Sequence, residues 1–107
     1  MELLDLWIAA LMGIGNYTSL VTPSSLDMYH GNVHVWCHGT MSNVPTAPAD
    51  PLFWLHHAMI DKIWADWQAT HPGLGPTLSG TDRIMDPWTE TAADVKSIAA
   101  LGYSYGP

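Results

Sequence analysis

Six histidines stand at positions 30, 34, 38, 56, 57 and 71. His30 and His34 are four residues apart. On a helix this spacing puts both imidazoles on one face about a turn from each other, within reach of a single metal ion. Two ligands make only a weak site, so a third is needed. His56 and His57 lie side by side in an apolar stretch, and buried imidazoles need polar partners. Neighbours on a helix point about 100° apart, so the pair is not expected to serve one ion together. His57 shares a stripe with Phe53, Ile60, Trp64 and Trp67 and can supply the third ligand if its helix packs antiparallel or crossed against that of His30 and His34. His56 is expected as a core histidine bonded to a backbone carbonyl. Three neutral imidazoles without paired thiolates suit Zn, Cu, Fe or Ni, and spacing does not choose among them. No HExxH is present, which removes the base of a zinc protease. The single cysteine, Cys37, reads as a small apolar filler, and His38 as a surface-loop histidine. An HxxxH pair taken alone also fits a plain helical domain whose histidines are structural.

These side chains must be held by helices. Leu3, Leu4, Trp7, Ile8, Leu11 and Met12 recur at helical spacing, which predicts a helix over 1–12, stopped by Gly13 and Gly15. After a turn-rich stretch, Ser24 or Ser25 is placed to cap a second helix over 26–36. A loop over 37–49, rich in Gly, Ser, Asn and Pro, leads to the clearest helix start in the chain: Asp50 as N-cap, Pro51 at the first helical position. That helix is predicted to run to Gln68, with His71-Pro72-Gly73 ending it. Residues 73–90 read as irregular, and 91–100 as a short last helix. No strand is predicted. The class is mainly α, within a single domain over 1–107.

Bulk properties narrow the partners. The chain has 107 residues, 48% hydrophobic, 12% charged, with six tryptophans. So few charges on so small a protein suggest that part of its surface is covered by more protein. The net charge is −7, with Lys62, Arg83 and Lys96 as the basic residues, so there is no patch for nucleic acid or for an anionic membrane. No apolar run reaches the roughly 20 residues of a membrane span. Glu2 and Asp5 stand where a secretory signal would be basic, which favours a cytoplasmic location.

The segments His30-Gly31-Asn32-Val33-His34-Val35-Trp36, Gly39-Thr40-Met41 and Pro48-Ala49-Asp50-Pro51-Leu52-Phe53-Trp54-Leu55-His56-His57-Ala58-Met59-Ile60-Asp61-Lys62-Ile63-Trp64 resemble the second copper motif of tyrosinases and catechol oxidases. That motif reads approximately HNxVHxWxGGxM, then DPxFxLHHxxxDRxW. The resemblance implies the C-terminal half of a tyrosinase copper-binding domain, with its motif core at 26–70. The implied fold is a partial helical bundle, half of a type-3 copper four-helix core. It implies His30, His34 and His57 as ligands of one copper ion per chain. It puts His56 beside the ligands, Asp61 near the site as a structural carboxylate, Val44 at the mouth of the copper pocket, and Val35 where substrate access is tuned.

In this family paired coppers, each held by three histidines, use O2 to oxidise o-diphenols, and in monooxygenase members monophenols, to o-quinones. The implied partners are therefore a phenolic small molecule and O2. A second copper would need a partner chain or a missing N-terminal half, because residues 1–29 contain no histidine. The alternative is a non-catalytic single-copper or hemocyanin-like oxygen-binding protein. Two departures bear on the chemistry. Gly31 replaces an Asn common in the family, and Asp27 is the acidic residue nearby, so oxidation of catechols is implied more firmly than hydroxylation of monophenols. Cys37-His38-Gly39 replaces the usual apolar-Gly-Gly.

Overall fold

A computed structural model describes every residue except Met1. The helix predicted over 1–12 therefore has its first residue outside the described part. The chain falls into two compact units, divided between Leu74 and Gly75. It is mainly α-helical, a partial helical bundle with irregular connections, as the sequence predicts.

The first unit holds four helices: α1 (Leu3–Met12), α2 (Tyr17–Leu20), α3 (Leu26–Cys37) and α4 (Pro51–Thr70). The short α2 interrupts the stretch read as turns. It starts because the Asn16 side chain accepts the Ser19 N–H at 2.8 Å, satisfying one orphan donor of the first turn. Ser25 occupies the N-cap position of α3, but its hydroxyl donates to the Ser19 carbonyl at 2.8 Å and so ties α3 to α2 instead of capping. Helix α4 begins as the sequence predicts. Asp50 accepts the Leu52 N–H at 2.9 Å, and Pro51 follows in the first turn. Its 20 residues span about 30 Å.

Leu11, Leu20, Leu26, Ile63 and Trp67 form the buried core, so every helix of the unit contributes. Trp67 is fully buried, and its Nε1–H donates to the Ile14 carbonyl at 2.8 Å. This satisfies the one polar atom of a large apolar side chain while fixing α4 against the α1–α2 connection. Trp7 packs on Tyr29 at 4.8 Å between ring centroids, and Tyr17 meets Trp64 edge-on at 5.3 Å.

The segment between α3 and α4 contains two 3-10 turns, Gly39–Ser42 and Ala47–Ala49. Each anchors one buried side chain, Met41 and Ala47. Helix α3 ends at His38, which has φ 59° and ψ −168°. That backbone region is nearly exclusive to glycine.

The second unit, Gly75–Pro107, has a 3-10 turn at Gly80–Arg83 and one antiparallel bridge between Ile84 and Thr91. The helix predicted over 91–100 does not form; turns occupy that stretch. The bridge holds Thr91 extended, and the Asp94 carboxylate accepts both the backbone N–H and the hydroxyl of Thr91 at 2.8 Å. Ser97 likewise accepts the Ala100 N–H. Such short polar side chains offer the backbone local partners that compete with a helical ladder.

Candidate metal centre

Helices α3 and α4 pack together and present four histidines to one another. His30 and His34 come from successive turns of α3, with ring centroids 4.9 Å apart. His57 of α4 lies 5.0 Å from His30 and 5.4 Å from His34, again between ring centroids. His56 is equally close, at 5.7 and 5.2 Å. A ligand atom from each of His30, His34 and His56 lies within 4.8 Å of the others, so these three can hold a metal ion by proximity.

Hydrogen bonds separate the four rings. His34 Nδ1 lies 2.9 Å from the Met41 carbonyl. A carbonyl only accepts, so Nδ1 carries the hydrogen and Nε2 carries the lone pair. His34 Nε2 is 3.2 Å from His57 Nε2. His56 Nε2 is 3.0 Å from the His30 carbonyl, so that nitrogen is a donor and has no lone pair for a metal. His30 Nδ1 is 3.2 Å from the Asp27 carboxylate. His57 is stacked on Phe53 at 4.1 Å between centroids, which fixes its ring plane.

Burial also separates them. His56 is 7% exposed, whereas His30, His34 and His57 are half-buried and line a pocket of about 390 Å³. Asp27, Gly31, Met41, Ser42, Val44, Ala47 and Phe53 complete its walls. Burial holds the pKa of both His56 and His57 below the ordinary imidazole value. At His56 the bond to the His30 carbonyl opposes this, and repulsion from His34 and His30 adds to it. At His57 repulsion from His30, His56 and His34 adds to burial. The neutral form that a metal requires is thus favoured at both.

The other positions singled out from the sequence are distributed as follows. Gly31 faces the pocket, and a Cβ there would meet open space. Val44 is on its wall and 89% exposed. Val35 is 64% exposed and does not line it. Asp61 lines a separate pocket of about 400 Å³ on the Tyr17 and Trp64 side of His57. His38 is exposed, and Cys37 is a half-buried free thiol. Sequence reasoning missed the parts played by the Met41 carbonyl and by Phe53. A backbone acceptor leaves no trace in residue types, but Phe53 stands four residues before His57, and that spacing is a usable signal.

Imidazole donors suit copper among the first-row metals, and the locked His34 tautomer presents a lone pair to the neighbouring ring. No helix of the structure is long and apolar enough to cross a membrane.

Known proteins carry the same segment. Residues 10–70 match the model of the common central domain of tyrosinase. The chain is 46% identical over 70 residues to the tyrosinase of Streptomyces glaucescens, covering 59% of this chain and 25% of that one. It is 40% identical over 88 residues to grixazone synthase of Streptomyces griseus, covering 74% and 28% respectively. The tyrosinase of Canis lupus familiaris is 36% identical over 64 residues, covering 60% of this chain and 12% of the relative. The chain thus spans about a quarter of the length of these Streptomyces relatives. A family match over more than half of the chain, centred on the helices that carry the histidine cluster, shows that it belongs to the tyrosinase family of copper oxidoreductases.

Proposed function

We propose that His30, His34 and His57 hold one copper ion, and that this ion is the second copper of a tyrosinase or catechol oxidase centre that oxidises o-diphenols to o-quinones with O2. The observation that carries the reading is the 3.2 Å approach of His34 Nε2 to His57 Nε2 on the wall of a pocket that His30 also lines. Two nitrogens so placed suit one ion about 2 Å from each. His56 is the nearest competitor by distance. Its bonded Nε2 and its absence from the pocket wall favour His57.

Bound copper would supply the redox chemistry with O2. Two catechols give up four electrons and four protons to one O2, yielding two quinones and two waters. The chain's own residues bind and orient. Met41, Val44, Ala47 and Phe53 offer apolar walls to a flat phenolic ring, the Met41 carbonyl holds His34, and the Phe53 ring holds His57.

A second copper would come from further polypeptide, either a partner chain or an N-terminal half. Trp36, Trp54 and Leu55 are 79%, 64% and 70% exposed, apolar surface suited to being covered by such a partner. Copper titration followed by absorbance of o-quinone from a catechol tests the reading. One copper per chain without quinone would favour the single-copper, non-catalytic alternative. No copper binding would end both.

A further inference from the structure

We infer that Asp27 is a positioning residue that sets which nitrogen His30 offers to the metal. The inference rests on the proposed three-histidine site but is read from a different contact. His30 Nδ1 lies 3.2 Å from Asp27 Oδ1, one helical turn back on α3. A carboxylate oxygen accepts, so the bond selects the Nδ1–H tautomer and leaves the lone pair on Nε2. His34 reaches the same state by another route, through the Met41 carbonyl. The two α3 ligands are therefore both fixed as Nε2 donors, one by a charged acceptor and one by a neutral acceptor.

The carboxylate has a further effect. A carboxylate behind a ligating imidazole raises the electron density of the ring and strengthens it as a donor. His30 is accordingly the stronger of the two α3 donors. The Asp27 side chain is 55% exposed and that of His30 34%. Asp27 also lines the metal pocket. Its place in the first turn of α3 gives it a simpler possible role, an acid at the positive end of a helix. The test must move something that such a role would not.

The tautomer is that readout. Long-range proton–nitrogen correlation of the 15N-labelled chain, at about pH 8.5 where imidazoles are neutral, reports which ring nitrogen carries hydrogen. We expect Nδ1–H for His30 in the native chain and a shift toward Nε2–H in Asp27→Ala. His34 should stay Nδ1–H in both and serves as the internal control. Asp27→Asn retains an acceptor oxygen without the charge and should keep the native tautomer of His30. Copper affinity should fall about tenfold or more in Asp27→Ala and less in Asp27→Asn.

An unchanged His30 tautomer in Asp27→Ala would overturn the inference, whatever copper does. A shifted tautomer with unchanged copper affinity would overturn the claim that Asp27 acts on the metal. If the native chain binds no copper, the three-histidine reading fails, while the tautomer comparison still decides whether Asp27 sets the His30 ring.

Discussion

His34 Nε2 and His57 Nε2 approach to 3.2 Å across the interface of α3 and α4. The Met41 carbonyl holds the hydrogen of His34 on the far nitrogen, so His57 must donate across the gap in the metal-free chain. Binding an ion there requires His57 to carry its hydrogen on Nδ1 instead, a change of tautomer that releases no proton. His57→Gln should therefore weaken copper binding by more than about 100-fold, because a ligand is lost rather than a supporting contact. His56→Gln keeps an N–H donor for the His30 carbonyl and should remain within a few-fold of the native affinity. Calorimetric titration of both variants decides the matter; the reverse order would make His56 the ligand.

The metal-free chain should lose stability on acidification. His56 and His57 both have lowered pKa values in the folded state, chiefly through burial. As pH falls through about 6.5, the unfolded chain takes up protons that the folded chain refuses. Stability then declines until pH lies below the folded values. Asp94 is lowered too, through its bonds to Thr91, and it adds a second loss further down, below the ordinary carboxylate value. Urea midpoints should fall between about pH 7.5 and pH 5. A midpoint independent of pH in that window would contradict the burial seen here.

His38 carries a backbone strain that glycine would not. With φ 59° and ψ −168°, it stands in a region costing about 1–3 kcal/mol for a residue with a Cβ. His38→Gly should raise stability by about 1 kcal/mol, or roughly 4–8 °C in Tm for a domain of this size. His38→Ala should not. Differential scanning calorimetry of the two variants separates release of strain from loss of the imidazole.

Trp67 joins packing and hydrogen bonding at the core. Trp67→Phe removes the donor to the Ile14 carbonyl and should cost about 1–3 kcal/mol. Trp67→Ala adds a large cavity and should cost about 3–5 kcal/mol. Chemical denaturation gives both, and a loss near zero in Trp67→Phe would mean that the hydrogen bond contributes nothing.

Much of this was legible in residue order. Asp50 and Pro51 announced α4 because caps act through one or two adjacent residues. The apolar spacing of Leu3, Trp7 and Leu11 did the same for α1. The cluster itself was foreshadowed by the HxxxH spacing and the His56-His57 pair. What escaped were contacts that residue types do not encode. The Met41 carbonyl reaches His34 only because the chain doubles back after α3. The helix predicted over 91–100 gives way to turns, where Asp94 and Ser97 bond nearby backbone N–H groups and so compete with a helical ladder. His56 is buried and bonded to the His30 carbonyl, the core role its place on the apolar face suggests.

The bond from His56 to the His30 carbonyl bears on transplanting the site into another scaffold. It pins the middle of one helix to the backbone of a residue that carries a proposed ligand, so it sets the rotation of each helix about its own axis. A designer who copied only His30, His34 and His57 would copy the tips and discard the jig that aligns them. The minimal portable unit on the proposed reading is four histidines, three as ligands and His56 as the bond that aligns their helices.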